Sequence, residues 1–205
     1  MTERALVALS PLREQELNAA AELLGRAFRD NAMNRAVVGG SERARERSNA
    51  AGMRAVLPLA RLRGSVQAAH GGARLAGVLV SLPAGVASVG RPSWLAMARL
   101  LVAQRPRVAG RWSAVAEALQ LHRPLAPHAY LATLGVEPEL RRAGVGSALL
   151  SHWLAAVDAR EQRAYLETDS TSNVAWYERF GFAVRAELTV LGVVVHLMER
   201  DPRNG

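Results

Sequence analysis

Several residue types are scarce or missing in this 205-residue chain, and each absence excludes a class of protein. There is no cysteine, which excludes a disulfide framework, a thiolate metal site and a cysteine nucleophile. The longest apolar runs, such as Ala76 to Val80, are the length of a strand, far below the roughly 18 residues that a membrane span needs. The N-terminal segment has no basic flank before an apolar core, so it is a poor signal peptide. We therefore expect a cytoplasmic protein that does not act at a membrane.

Lysine is also absent, so arginine supplies all 26 basic side chains and the formal net charge is +8. A basic balance favours an anionic partner, which is a nucleic acid, a membrane surface or a phosphorylated cofactor. No recognition helix, zinc pattern or aromatic RNA-binding strand supports the nucleic-acid interpretation. Because the best local motif is a phosphate site, we expect a phosphorylated cofactor and no nucleic acid.

The N-terminal two thirds of the chain predict a strand, helices, a hairpin and a helical insert. Residues 2–9 partly alternate, as in an edge strand, and Ser10-Pro11 is typical of a helix start. Ser41 is a candidate cap for a second helix, which Pro58 is expected to kink or end. A hairpin follows over residues 65–82, and residues 84–127 form an insert that is helical over most of its length.

The last third of the chain has the clearest pattern. It predicts a strand, a helix, a strand, a short helix and a closing hairpin over residues 128–136, 144–160, 164–168, 173–180 and 183–199. No repeat or linker divides the chain, so we expect one domain over residues 1–205 with its core in residues 128–200. This order of elements indicates an α/β protein whose mixed sheet contains one parallel crossover.

A glycine- and arginine-rich segment joins the predicted strand 128–136 to the helix that follows. Gly144 and Gly146 lie where the helix begins, next to Arg141 and Arg142. Glycines there let the backbone approach a phosphate and turn N–H groups toward it, and the helix start adds partial positive charge. The forked guanidinium groups add formal charge. A diphosphate fits this site, although glycine used only for close packing explains the two glycines equally well.

The run Arg141-x-x-Gly144-x-Gly146, after the strand Tyr130 to Val136, resembles the pyrophosphate signature of the GNAT N-acetyltransferase family. A second element, Asn173-x-x-x-Tyr177 followed by Gly181-Phe182, resembles that family's later helix. The resemblance implies a mixed, mostly antiparallel twisted sheet with a splayed central parallel pair and flanking helices. It also implies acetyl-CoA as cosubstrate, and the overall layout is similar to that of puromycin N-acetyltransferase-like members.

The resemblance also implies roles for individual residues. The strand pairs with the pantetheine arm, the loop holds the pyrophosphate, and Asn173 contacts the cofactor arm. The implied cofactor-binding residues are Leu134, Gly135, Val136, Arg141, Arg142, Ala143, Gly144, Val145, Gly146, Ser147 and Asn173. Tyr177 shares a helix face with Asn173 and is the implied partner of the thioester sulfur, as a general acid. A core tyrosine and a helix-capping asparagine are the alternatives.

The general base is the most open of the catalytic assignments. Some members carry a glutamate where this chain has Tyr130, so Glu167 on the neighbouring strand becomes the candidate, with His128 and Glu137 as lesser ones. No metal site is expected. Asp30, Trp94 and Trp112 are candidates for acceptor recognition, although ordinary structural roles fit all three.

The expected reaction is acetyl transfer to an amine of a small molecule by direct attack in a ternary complex. A protein or peptide N-acetyltransferase and a non-catalytic acyl-CoA-binding regulator are the alternatives. The sequence leaves open the acceptor amine, the acyl-chain preference and the oligomeric state, a homodimer included.

Overall fold

The fold is a single seven-stranded sheet covered by helices on both faces. We describe it from a computed structural model, which describes residues 7–86, 88–90 and 93–202, with the side chains of residues 96 and 103 left aside. The strand order is β1-β2-β3-β4-β5-β7-β6. The strands are β1 (Ala8–Pro11), β2 (Ser65–Gly71), β3 (Arg74–Leu82), β4 (Ala129–Val136), β5 (Ala164–Thr168), β6 (Ala183–Val190) and β7 (Val193–Arg200).

Neighbouring strands pair antiparallel everywhere except between β4 and β5, which run parallel. The expected mixed, mostly antiparallel sheet with one parallel pair is therefore confirmed. The helices are α1 (Leu17–Phe28), α2 (Ala32–Val38), α3 (Glu42–Arg63), α4 (Trp94–Gln104), α5 (Pro106–Leu121), α6 (Val145–Asp158) and α7 (Thr171–Glu178). In the described part of the chain, none of these helices has the length and apolar composition that a membrane crossing requires.

Strand β3 shows how the two faces of the sheet are filled. Val78 and Val80 pack with α1 and α3 on one face, whereas Leu79 packs with α6 on the other. All three side chains are at most 1% exposed, as expected when successive side chains of a strand point to opposite faces and both faces are covered. A third buried cluster joins α2 and α5 to the far end of the sheet.

One sequence prediction at the N-terminal end of the chain was wrong. Ser10 and Pro11 lie in strand β1 and do not start a helix, and Pro11 pairs with Gln67. Proline is tolerated there because β1 is an edge strand, where a missing N–H costs no ladder bond. The earlier part of the predicted strand, residues 2–6, lies outside the described residues.

Helix α3 begins as predicted but does not end at its proline. The Ser41 hydroxyl accepts a hydrogen bond from the N–H of Ala44, at 3.3 Å, and caps the helix. Pro58 lies inside the helix, which continues to Arg63. Leu57 and Ala60, on either side of the proline, are fully buried against the sheet and α1, and this packing offsets the lost backbone bond.

Gly135 brings the middle of β4 into close contact with α1. A Cβ added at Gly135 would lie 2.5 Å from Leu24 Cδ2 and 3.3 Å from the Cβ of Ala27. Leu24 is completely buried, so it has little room to move away. The absence of a side chain at Gly135 therefore sets the distance between α1 and β4.

We predict that Gly135→Ala destabilises the protein by about 1–3 kcal/mol, because the added methyl overpacks this contact. The matched control is Gly110→Ala in helix α5, where an added Cβ meets nothing within 4 Å and alanine gains about 1 kcal/mol of helix propensity. Urea unfolding of both variants gives the two free energies. Equal stability of Gly135→Ala and the parent chain would contradict the prediction.

Candidate active site

The two parallel strands separate partway along their length. Their pairing joins Ala129–Leu131 to Ala164–Leu166 and goes no further, while β4 continues to Val136 alongside β3. The register of β3 and β4 also shifts near Leu131, which indicates a bulge in β4. Beyond that point, alternating backbone N–H and C=O groups of β4 face a gap where β5 would have been.

A groove of about 1020 Å³ opens from this gap. Its walls are the second half of β4, the loop and start of α6, the start of α7, and the end of α1. Ten of the eleven predicted cofactor-binding residues line it: Leu134, Gly135, Val136, Arg141, Arg142, Ala143, Gly144, Gly146, Ser147 and Asn173. Val145 is the exception. Its side chain is 1% exposed and packs in the core under α6, so only its backbone is available to a ligand.

The start of helix α6 presents uncapped backbone N–H groups. Gly144 precedes the helix with φ of 89°, a left-handed conformation that suits glycine. It has no side chain to cap the first turn, and the first N–H groups of any helix lack an intrahelical acceptor. These donors and the helix dipole create a site for an anion at the wall of the groove.

The groove is also positively charged. Arg141, Arg142 and Arg179 line it, and no carboxylate is among its described lining residues. Arg141 is held in place by α1, since its Nη2 donates to the carbonyl oxygen of Ala27 at 2.6 Å. The sequence motif predicted the first two arginines. Arg179 directly follows α7, and Asn173 and Tyr177 of that helix also line the groove.

Tyr177 is buried where the groove meets a second cavity. The residue is 8% exposed, and its ring lies edge-on to Trp176 and Phe182, with centroids 4.8 and 5.7 Å away. Burial raises the pKa of Tyr177 above its ordinary value, so the hydroxyl keeps its proton at neutral pH. The side chain is therefore a donor that does not readily become a phenolate.

The second cavity has a volume of about 210 Å³ and is called the acceptor chamber from this point. It shares Phe28, Asn31, Leu134, Asn173 and Tyr177 with the groove. Its other lining residues come from α2, α5, β4, the end of β5 and β7: Met33, Asn34, Trp112, Val115, Leu119, Tyr130, Leu131, Ala132, Thr133, Glu167, Thr168, Asp169 and Val195. The chamber is thus closed on one side by the helical insert.

Glu167 lies in the wall of the acceptor chamber with both carboxylate oxygens engaged. Oε1 accepts from Nε of Arg123 at 2.9 Å, and Oε2 accepts from the hydroxyl of Tyr130 at 2.5 Å. The Arg123 guanidinium also lies over the Tyr130 ring, 3.9 Å from its centroid. Burial raises the pKa of Tyr130 well above its ordinary value. Each carboxylate oxygen keeps a further lone pair for another donor.

The lesser candidates from the sequence have other partners. Arg26 donates two hydrogen bonds to the Glu137 carboxylate, each at 2.8 Å, and Nδ1 of His128 lies 2.9 Å from the carbonyl oxygen of Ala126. Asp30 forms ion pairs with Arg29 and Arg45. The Arg29 hydrogen bond is the main reason that the pKa of Asp30 is lowered.

The two tryptophans of the insert have different surroundings. Trp112 lines the acceptor chamber, whereas Trp94 is 77% exposed and is not among the residues that line either cavity.

Several lining residues were not singled out from the sequence. Asn34 lies on α2, a seven-residue helix whose N-terminal residue has no side-chain cap and which sequence patterns did not predict. Asp169 follows β5 and accepts a hydrogen bond from the Met33 N–H at 2.8 Å. The one sequence feature that pointed to Asp169 is its position directly after β5. Trp176, next to the predicted Tyr177, lines the groove.

The fold is that of known acetyltransferases. A Corynebacterium glutamicum structure described as histone acetyltransferase HPA2 and related acetyltransferase superposes with a TM-score of 0.73 at 19% identity, covering 97% of this chain and 98% of that chain. The Escherichia coli ribosomal-protein-S18-alanine N-acetyltransferase gives a TM-score of 0.54 at 16% identity, covering 98% and 97%. Ard1 from Thermoplasma volcanium gives 0.57 at 15%, covering 97% and 99%. At these identities the likeness concerns the fold.

The sequence itself also matches. Residues 97–184 match the family model described as acetyltransferase (GNAT) domain. The resemblance to the GNAT family that its motifs indicated is therefore confirmed over this segment, which is somewhat less than half of the chain. The matched segment includes β4, the glycine loop, α6, β5 and α7, which together form most of the groove.

Proposed function

We propose that this protein transfers an acetyl group from acetyl-CoA to the amine of a small molecule. The observation that carries the proposal is the meeting of two cavities of opposite character at Tyr177. The groove is lined by three arginines, and the acceptor chamber by two carboxylates. A reaction between an anionic cofactor and an amine needs such a pair of neighbouring sites.

The coenzyme occupies the groove. Its diphosphate contacts the N–H groups that begin α6 and the charges of Arg141 and Arg142. Its pantetheine arm pairs with the free edge of β4 around Leu134 to Val136, where β4 no longer pairs with β5. Asn173 contacts the arm from the opposite wall. The groove is large enough for a ligand of this size, at about 1020 Å³.

Transfer takes place by direct attack of the amine on the thioester. The C–N bond forms and the C–S bond breaks, while a backbone N–H between Leu134 and Val136 stabilises the carbonyl oxygen. Holding both reactants in adjoining cavities makes the attack effectively intramolecular. Tyr177 donates a hydrogen bond to the leaving thiolate. Because burial raises the pKa of Tyr177, stabilisation through the shared proton is favoured over its complete transfer to a thiolate of ordinary pKa near 8.5.

The attacking amine must lose a proton, and Glu167 is the proposed acceptor, directly or through water. Tyr130 occupies the strand position where some family members carry glutamate, and its hydroxyl is hydrogen-bonded to Glu167. The carboxylate therefore lies beside the position where some relatives place theirs. Arg123 holds it in one orientation.

The domain organisation supports a small acceptor. We treat residues 1–205 as one domain in which the 84–127 insert covers the acceptor side of the 128–200 core. Helix α5 of this insert contributes Trp112, Val115 and Leu119 to the chamber. At about 210 Å³, the chamber is below the ~300–1,000 Å³ of common ligand pockets, so it suits a compact molecule better than an extended peptide.

We predict that coenzyme A and acetyl-CoA bind with measurable affinity by titration calorimetry, and that Gly146→Val weakens this binding about tenfold or more. A Cβ at Gly146 would lie 3.5 Å from Val136 Cγ2 and 3.7 Å from the Trp176 ring, on opposite walls of the groove. A larger side chain therefore narrows the groove without striking the core. Gly71→Val, where an added Cβ meets nothing within 4 Å, is the control and should bind normally. Absence of binding to the parent chain would refute the proposed function.

We predict that Tyr177→Phe lowers kcat by about 10²-fold and leaves the Kd for acetyl-CoA unchanged, since the ring and its packing remain. Steady-state kinetics on the best acceptor, with calorimetry for the cofactor, separates the two effects. Trp176→Phe, which keeps an aromatic ring on the adjacent residue, tests whether any change on α7 has the same effect. Unchanged kcat in Tyr177→Phe would remove the tyrosine from the mechanism.

We predict that Glu167→Gln lowers kcat/KM by about 10²-fold, because glutamine accepts no proton from the amine. Glutamine keeps the shape of the side chain and one carbonyl oxygen for Arg123 or Tyr130. Glu117→Gln, on the exposed face of α5, should behave as the parent. A parental kcat/KM in Glu167→Gln would exclude Glu167 as the base.

A further inference from the structure

The acceptor chamber has a charge pattern opposite to that of the groove beside it. Glu167 and Asp169 line it, and no arginine or histidine is among its described lining residues. The groove, in contrast, is lined by arginines and no carboxylate. A cation is therefore favoured in the chamber and disfavoured in the groove, although the two share five lining residues.

The two carboxylates of the chamber are not equivalent. Glu167 is only 7% exposed at its side chain and forms an ion pair with Arg123 at 2.9 Å, so its charge is compensated. Asp169 receives a neutral donor, the backbone N–H of Met33, at Oδ2. Within the described residues, no arginine or histidine lies within ion-pair distance of Asp169. One uncompensated negative charge thus faces the chamber, which matches a ligand with a single positive charge.

A second, neutral acceptor lies in the same wall. Asn34 is 7% exposed, lines the chamber, and its side-chain oxygen has no hydrogen-bond partner among the described residues. A buried polar atom without a partner is costly. Asn34 directly follows Met33, the residue that donates to Asp169, so the two acceptors belong to one corner of the chamber.

Much of the remaining chamber wall is apolar or aromatic. Met33, Val115, Leu119 and Val195 contribute aliphatic surface, and Trp112 adds a broad ring from α5. These residues belong to one hydrophobic cluster. Its small volume, about 210 Å³, leaves room for one ring and a short chain and excludes a large polycation.

From these observations we infer that the acceptor is an arylalkylamine-type monoamine. Its ammonium group is bound by Asp169 with help from the Asn34 carbonyl, and its apolar ring packs against Trp112 and the aliphatic wall. The ammonium loses a proton to Glu167, directly or through water, and the free amine attacks the thioester carbon. The C–N bond forms and the C–S bond breaks, the coenzyme A thiolate leaves with a hydrogen bond from Tyr177, and the products are the N-acetyl amide and free coenzyme A. This inference rests on the proposed function and specifies its acceptor.

The test is an acceptor screen in which free thiol release from acetyl-CoA is measured. The probes are 2-phenylethylamine and tryptamine, n-propylamine, spermidine, an aminoglycoside, and a peptide with a free N-terminal alanine. We expect kcat/KM for the two aromatic amines to exceed that for every other probe by about tenfold or more. Calorimetry with coenzyme A is run in parallel, so that cofactor binding is known independently of the acceptor.

Two variants connect the preference to the chamber. Asp169→Asn keeps the shape and an acceptor for the Met33 N–H, and it should raise KM for the aromatic amines by about tenfold to a hundredfold, with the Kd for coenzyme A unchanged. Trp112→Ala should lower kcat/KM for the aromatic amines by a larger factor than for n-propylamine. Asp201→Asn, at a side chain that is 61% exposed, is the matched control and should behave as the parent.

The outcomes distinguish this inference from the function on which it rests. If coenzyme A binds and transfer occurs best to spermidine, the aminoglycoside or the peptide, the monoamine assignment is wrong and the acetyltransferase assignment stands. If Asp169→Asn leaves KM for the aromatic amines unchanged, the ammonium site is wrong. If coenzyme A does not bind at all, both proposals fall together.

Discussion

The separation of β4 from β5 is the constraint on which the site depends. Three residue pairs hold the two parallel strands together at Ala129–Leu131, and beyond them the sheet opens. A strand edge with no partner is normally a liability because its N–H and C=O groups remain unpaired. In this fold the edge faces a groove instead of bulk solvent, so its N–H and C=O groups are available for hydrogen bonds with the amide groups of a ligand. The same opening separates the two walls by enough space for a second cavity.

The two cavities are made from different parts of the chain. The groove walls come largely from residues 134–147 and 170–179, which the motifs identified, whereas the acceptor chamber draws on α2, α5 and the ends of the parallel strands. Charge follows the same division, with arginine on the groove side and carboxylate on the chamber side. In the proposed reaction this arrangement keeps the anionic cofactor and the cationic amine in their own sites until they meet at Tyr177.

Local chemistry decided which features were predictable from the sequence. The glycine loop and the Asn173–Tyr177 helix are short motifs that resemble a known family, and the resemblance implied one shared site for them. The structure brings both motifs together across one groove. The sheet was predictable because the hairpins and the single crossover follow from strand and turn patterns. Where tertiary packing overrides propensity, prediction failed: Pro11 lies in a strand, and Pro58 lies within a helix that its buried neighbours stabilise.

The acceptor chamber was largely hidden from sequence reasoning for a related reason. Met33 and Asn34 belong to a short helix without a capping signal, and Arg123 lies in a turn beyond α5 that has no pattern of its own. Its pairing with Glu167 spans 44 residues of sequence. Contacts of this kind depend on how distant elements pack, and neither periodicity nor spacing encodes them.

The contact of Arg123 with Tyr130 and Glu167 links the end of the insert to both parallel strands near the point where they separate. These polar interactions therefore attach the C-terminal end of the insert to the sheet, in the wall of the acceptor chamber. In the proposed reaction, a change in the helices before Arg123 alters acceptor selectivity and leaves cofactor recognition intact, because the insert lines the acceptor chamber and not the groove.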